Sequence, residues 1–385
     1  MEKKYLCPYC FNELSVNDVL FQCRNHPDKL IAWDGNSRKA KCSVCGVETG
    51  MLVCKHCKKK RELPPATFEN KNIIITVIGS RSAGKSMFMG VLLKELRDRI
   101  APAFDGSIQN ANEENKWIDT YANQIYKGEH TTVAQTSLLE NQEPLIYKLR
   151  LPHTPWWKKL FNIEPKPNEH LVYTFCFFDT AGEAFNSESN MERVKNYINH
   201  STGIIYLVDP FAIPAVRNTV AQEVQDGSYQ RGNYNEVEDT AGLISRVAKF
   251  IRINKEISEN KPIETPIAVT FSKFDAIPRQ LIPDDFRINE PSPHCAAQAF
   301  VKQDGNAVNE EIKALLNDWD QKNFLANIRF NFTNAAFFGV SALGLNNYPK
   351  KKEGTNNFTF NRPHPHRIED PLLWLLQEQG IIKAK

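Results

Sequence analysis

Gly79 to Ser86 read G-x-x-x-x-G-K-S, and this run sits between the β-branched stretch Asn72–Ile78 and the helically periodic stretch Met87–Ile100. A short run of Ile and Val has the pattern of a strand buried on both faces of a parallel sheet. A glycine-rich turn between such a strand and a helix aims backbone N–H groups at phosphate, and the helix N-terminus favours the negative charge. Gly79, Ser80, Arg81, Ser82, Ala83, Gly84, Lys85, Ser86 and Met87 are therefore read as a phosphate cradle. In it Lys85 reaches the β- and γ-phosphates and the Ser86 hydroxyl binds Mg2+. The expected fold class is α/β, a mostly parallel sheet with helices on both faces and the nucleotide at the carboxyl ends of the strands.

Further strand patterns follow at Leu171–Phe178, Gly203–Val208, Ile267–Phe271 and Phe337–Val340. The first runs into Asp179-Thr-Ala-Gly182, where Asp179 would complete the Mg2+ shell and the Gly182 N–H would sense the γ-phosphate. The third runs into Ser272-Lys-Phe-Asp275, and the last into Ser341-Ala-Leu343. All four elements stand in the order in which they resemble the Ras-like, translation-factor-related class of P-loop GTPases, over about residues 72–345. The resemblance implies that Asp275 accepts hydrogen bonds from the guanine ring N–H and exocyclic amine. It also implies that Lys273 lies along the base and the phosphate loop, and that the turn Ser341-Ala342-Leu343 offers a backbone N–H to guanine O6. The cofactors so implied are GTP or GDP with Mg2+. Ser272 stands where the class has Asn or Thr, a departure that could loosen the pocket and on which an ATPase alternative rests, though a hydroxyl can still bridge to the phosphate loop.

Other departures bear on hydrolysis. Glu183 follows Gly182 where a water-orienting Gln is usual, and a carboxylate there would face the γ-phosphate charge, so slow turnover is expected. Arg81 lies within the loop, either as an internal arginine acting on the transferring phosphate or as a side chain turned to solvent. Lys85, Glu183 and Arg81 are thus the catalytic candidates. The Mg2+-sensing threonine of the first switch is sought ahead of the strand Leu145–Leu151; Thr131, Thr132 and Thr136 are available, and Thr132 is taken.

Ahead of this region seven of the nine cysteines fall before residue 58, in four doublets: Cys7 and Cys10, Cys23 and His26, Cys42 and Cys45, Cys54 and Cys57. A two-residue gap lets one tight turn aim both side chains at one ion, and eight ligands make two tetrahedral zinc sites. Sequential pairing is the first choice, with Cys7, Cys10, Cys23 and His26 on one Zn2+ and Cys42, Cys45, Cys54 and Cys57 on the other; cross-braced pairing stays open. So small a segment needs the metal to hold it together. The expected domains are a zinc-ribbon module at 1–62, a stiff linker at 63–71 and a nucleotide domain at 72–385, with insertions near 101–170 and 212–240.

Twelve Lys or Arg against six Asp or Glu in residues 1–61 leave the rest of the chain slightly acidic, although the net charge is only +3. Zinc ribbons serve as platforms, and the run Lys58–Arg61 is read as serving a protein partner ahead of nucleic acid, since no alternation of aromatic and basic residues accompanies it. No stretch approaches the ~18 consecutive apolar residues of a membrane span, and clustered metal-ligand cysteines suit a reducing compartment, so a cytoplasmic location is expected. The inserted segment with Trp156, Trp157, Lys158, Lys159 and Phe161 is read either as touching a partner or membrane surface or as folding back on the core; an extra helix is expected around Glu113–Tyr126. The opening Cys7-Pro-Tyr-Cys10 and the tail Glu369–Leu376 resemble the bacterial zinc-ribbon-fused double-GTPase or conflict-system GTPase group, which implies a role in a defence or signalling system. The sequence therefore describes a slowly hydrolysing GTP switch whose ribbon docks a partner. The rival is a nucleotide-binding scaffold without turnover.

Overall fold

A computed structural model describes residues 4–69, 71–80, 83–111, 116–127, 131–134, 144–152, 170–181, 195, 197–225, 240–344, 350–351, 354 and 357–385. Seven strands form its main sheet: β1 (Asn72–Gly79), β2 (Ser107–Asn110), β3 (Leu145–Pro152), β4 (His170–Ala181), β5 (Gly203–Val208), β6 (Ile267–Phe271) and β7 (Ala335–Gly339). Their order is β7-β6-β5-β1-β4-β3-β2. The pairs β1–β5, β5–β6 and β6–β7 are parallel, whereas β3 runs antiparallel to β4 and to β2. The sheet is thus mixed and largely parallel. Its parallel strands are mostly apolar, with Thr76 and Thr270 the buried polar exceptions, because helices cover both faces and leave no side for water.

The longer helices are α1 (Lys85–Glu95), α2 (Lys116–Ile125), α3 (Pro214–Gln225), α4 (Thr240–Asn254), α5 (Lys302–Asp318), α6 (Lys322–Asn331) and α7 (Asp370–Glu378). Alternate strand residues Ile204, Tyr206, Val208, Ile267, Val269 and Phe271 pack with Leu243, Val247 and Ile251 of α4, Ile312 and Leu315 of α5, and Phe324 and Ile328 of α6. The opposite face receives α7: a Cβ on Gly203 would lie 2.9 Å from Leu375, and Phe338 meets Trp374 at 5.9 Å between ring centroids. Period-two strand patterning and period-3.6 helix patterning therefore account for the two layers. Beyond α1 the helix widens into a π-helical turn, Leu96–Ile100, just before Pro102, which has no N–H to continue the α-helical ladder.

Two compact units emerge from the chain. One comprises Met1–Ile74, Ser107–Asn115 and Glu143–Phe177; the other comprises Ile75–Gly106, Lys116–Gln142 and Phe178–Lys385. The first begins with small antiparallel pairings: Tyr5–Leu6 with Glu13–Leu14, Val19–Gln22 between Leu30–Ala32 and Leu52–Cys54, and Ala40–Lys41 with Glu48–Thr49. Residues expected as a stiff linker carry structure of their own. The Leu63 N–H donates to the Leu52 carbonyl at 2.7 Å, a 3-10 turn spans Pro65–Glu69, and Phe68 packs against Tyr5 and Trp33.

Candidate functional site

The phosphate-loop residues lie at the carboxyl end of β1, where the sheet order turns back on itself between β5 and β4. This is where open α/β sheets leave a crevice for ligands. Gly79 pairs with Leu207 across β1 and β5, and a Cβ there would fall 2.6 Å from the Leu207 carbonyl oxygen, so only glycine fits. Gly84 caps α1 in the left-handed region, at φ 72°. Lys85 is buried, and its Nζ donates to the Gly79 and Ser80 carbonyls at 3.0 and 2.8 Å. The loop thus holds its own lysine at the site where anionic phosphate would enter. Ser86 and Met87 follow in the first turn of α1, and Ala83 is fully buried.

After β6, the Ser272 N–H and hydroxyl both donate to the Val208 carbonyl, at 3.0 and 3.1 Å. The hydroxyl thus ties β6 to β5. Lys273 adopts a left-handed backbone, φ 52°, and its Cε lies 3.7 Å from the position a Cβ on Gly84 would take. The side chain therefore reaches over the phosphate loop. Asp275 is half-buried and hydrogen-bonded by the Ser341 side chain; desolvation pushes its carboxyl up to about 6, against the lowering effect of Ser341 and of the Lys273 charge. The Phe274 N–H donates to Val340 O at 3.0 Å, which sets the Asp275 turn beside the turn of Ser341, Ala342 and Leu343. Gly344 closes that turn at φ 89°, and its N–H donates to Ser341 Oγ at 2.8 Å.

Lys273 links the two ends of this group, its Cε beside Gly84 of the loop and Asp275 two residues on, beside Ser341. Arg81, Ser82, Gly182 and Glu183 lie outside the described residues, as does the segment with Trp156, Trp157 and Phe161. Asp179 is described in backbone only, near the end of β4. Thr132 is likewise described in backbone only, and it lies in a short strand, Thr131–Ala134, that pairs antiparallel with Asn357–Phe360. Sequence reasoning passed over Asp209, which follows β5 and holds the Lys273 ammonium at 2.9 Å. An acidic residue at the end of a buried strand, the same signal that singled out Asp179, was there to be used.

The candidate zinc ligands gather into two groups, but not as expected. Cys7, Cys10, Cys54 and Cys57 form one, and Cys23, His26, Cys42 and Cys45 the other, each with its ligand atoms within 4.8 Å of one another. The pairing is nested, the first doublet with the fourth and the second with the third, which corrects the sequential choice and departs from cross-bracing too. Its cause is the pairing of Val19–Phe21 with Leu52–Cys54, with Val19 opposite Cys54, which returns the last doublet to the first.

Sulfur separations of 3.6 Å for Cys7 and Cys57, 3.7 Å for Cys10 and Cys54, and 3.7 Å for Cys23 and Cys45 fit a tetrahedron. Four sulfurs at the Zn–S distance of about 2.3 Å would stand about 3.8 Å apart. Contact with Cys10, Cys54 and Cys57, together with burial, pushes the Cys7 thiol well above its usual range, a cost that a bound cation would remove. The N–H groups of Cys45 and Val44 draw the Cys42 thiol down to about 6, as expected for a turn that favours thiolate.

A third group, His294, Asp304 and Asp370, is also close enough to hold an ion. Its chemistry speaks against one. Val301 N–H donates to His294 Nδ1 at 3.1 Å, so the neutral ring carries its proton on Nε2, the atom that faces the aspartates. Arg367 already supplies the cation, donating to Asp304 at 2.8 Å and to Asp370 at 2.7 Å. Among the described residues no helix is long and apolar enough to cross a membrane.

No family model matches the chain. Over 350 residues it is 23% identical to the putative ESX-1 scaffolding and assembly protein SaeC of Mycolicibacterium smegmatis, a match that covers 83% of this chain and 78% of that protein. Solved structures that resemble it include the signal recognition particle receptor SRb-GTP/SRX complex from Chaetomium thermophilum, at TM-score 0.30 and 15% identity, covering 71% of this chain and 92% of that one. Sup35 complexed with GDP is another, at TM-score 0.25 and 11% identity, and the match spans 71% of this chain and 38% of that one. Superpositions this loose do not define the fold.

Proposed function

We propose that this chain is a guanine-nucleotide switch of the P-loop GTPase type with a two-zinc docking module. The carrying observation is the joint placement of Lys273 over Gly84 of the phosphate loop and of Asp275, two residues further on, beside Ser341. A base held at Asp275 would then lead its phosphates toward Lys85. Ser86 and Asp179 would hold Mg2+, and the metal would neutralise charge on the phosphates. Gly182 and Thr132 would read the γ-phosphate, and GTP would order the segments around them until hydrolysis releases them. Glu183 makes that hydrolysis slow, and Arg81 is the loop's candidate for assisting it. The zinc groups shape a platform for a protein partner in the cytoplasm.

Nucleotide carried through purification tests this reading, followed by phosphate release from GTP and from ATP. GTP turnover that disappears in Lys85→Ala is the expected result. Release from ATP at an equal rate, with unchanged preference in Asp275→Asn, would count against guanine recognition.

A second reading, a nucleotide-bound scaffold without turnover, is favoured by Glu183 and by the match to a protein named for scaffolding and assembly. It predicts tightly held guanine nucleotide and no phosphate release.

A further inference from the structure

Asp209 stands directly after β5, is 3% exposed and lies outside every nucleotide-binding motif of the chain. Its two oxygens do different work. Oδ1 accepts the Phe211 N–H at 3.1 Å and so caps the turn Pro210–Ala212, and Oδ2 receives the Lys273 ammonium at 2.9 Å. That ammonium also lies 5.9 Å from the centroid of the Phe211 ring, which the cap itself places. Lys273 meanwhile keeps a left-handed backbone and carries its Cε across Gly84.

A lysine has four flexible methylene groups, and an untethered one spreads over many rotamers. Here the head is tied at a buried carboxylate, and the stem is stretched between that anchor and the phosphate loop. An apolar stem held in place is a wall against which a flat base can lie. We propose that Asp209 is a positioning residue of the base slot: it fixes the Lys273 ammonium so that the lysine stem is already in place when a guanine nucleotide arrives. The inference rests on the reading of this crevice as a guanine site. It assigns Asp209 no contact with nucleotide; its effect passes through Lys273.

The chemistry separates the two oxygens. Asp209→Asn keeps an oxygen for the Phe211 N–H and removes the charge that holds Lys273. Asp209→Glu keeps the charge but displaces it by one methylene. Lys273→Met keeps an apolar stem and removes the head. An effect that belongs to the pair therefore appears as coupling between positions 209 and 273, and one that belongs to the turn does not.

The test is release of a fluorescent GDP analogue from the full chain, measured for wild type, Asp209→Asn, Asp209→Glu, Lys273→Met and the Asp209→Asn/Lys273→Met double variant. Asp209→Asn and Lys273→Met each speed release on the order of tenfold, as for loss of a charge-assisted hydrogen bond. The double variant is no faster than either single one, and Asp209→Glu recovers part of the loss. Effects that multiply in the double variant overturn the inference, because Asp209 then acts without Lys273. Release from Asp209→Asn within about twofold of wild type also overturns it, that being less than one such bond supplies. A wild-type chain that holds no guanine nucleotide at all overturns the reading of the crevice, and the inference with it.

Discussion

Ser341 and His366 exchange two backbone hydrogen bonds, 3.0 and 2.9 Å long, so the turn expected to meet guanine O6 is stitched to the segment that leads into α7. The stitch continues one step on, where the His364 N–H donates to the Leu343 carbonyl at 3.0 Å. Gly344 makes the close approach possible, since a Cβ there would lie 2.1 Å from the His364 carbonyl oxygen, on a backbone already at φ 89°.

Gly344→Ala is therefore expected to lower stability by about 2–3 kcal/mol, through steric overlap and a left-handed backbone together. Because the neighbouring turn carries Ser341, the hydrogen-bond partner of Asp275, guanine nucleotide binding weakens alongside. Thermal unfolding with and without GDP measures both effects. A variant as stable as wild type would mean that the two segments separate without cost.

Asp275 gives binding a pH dependence with a definite sign. Burial raises its carboxyl from 3.8 to about 6 in the folded protein, so ionisation there costs stability above about pH 6, and the protonated form is favoured below it. Nucleotide needs the opposite state, a carboxylate that accepts two N–H groups. Affinity for GDP should fall as pH drops through about 6, while this one group's contribution to apo stability rises. In Asp275→Asn that part of the pH dependence disappears; titrations of both proteins between pH 5 and 8 decide it.

Zinc content distinguishes the nested pairing from any other. Replacing Cys7 and Cys10 by Ser should remove one ion, and replacing Cys54 and Cys57 should remove the same one. Combining all four substitutions then still leaves about one zinc per chain, held by three sulfurs and one nitrogen. Sequential pairing would instead leave none, a difference plain in elemental analysis.

Arg99, on the π-helical turn, makes a bidentate pair with buried Glu369 at 2.8 and 3.0 Å. Despite burial, the Arg99 guanidinium holds the Glu369 carboxyl below its usual range. Arg99→Ala strands that carboxylate. Since Arg99 is itself partly exposed, the expected loss is about 1–2 kcal/mol rather than the full penalty of a buried pair. Chemical denaturation of the variant measures it, and Arg99→Ala/Glu369→Gln should recover part of the loss.

The turn from Gly79 to Ser86 and the strand before it were legible as structure because their signals are written in adjacent residues: a glycine for a close approach, a lysine at a helix start, a β-branched strand ahead. The extra helix near residues 113–126 was legible for a similar reason, since apolar residues at helical spacing mark one face, and Lys116–Ile125 forms it. Zinc pairing was not legible. The doublets are local, but their partners are chosen by a strand pairing between Val19–Phe21 and Leu52–Cys54, which spacing does not encode. The hydrogen bond from the Ser272 hydroxyl to the Val208 carbonyl was not legible for a like reason, since the two are neighbours only once β5 and β6 lie side by side. Arg367, fully buried among Asp304, Asp370 and two backbone carbonyls, has no sequence signature, because all its partners come from folding.

Nesting also makes the two metal positions unequal. Cys7 and Cys57 are separated by 50 positions along the chain, and Cys23 and Cys45 by 22, the shorter span lying wholly within the longer. In polymer terms the outer ion would close a ring and the inner ion a smaller ring inside it, and the entropy that each removes from the open chain grows with the logarithm of ring size. Closing the inner ring first shortens the free path the outer one has to span. Ring closure by itself would therefore favour the inner ion on the way in and release of the outer one first as a chelator strips the module.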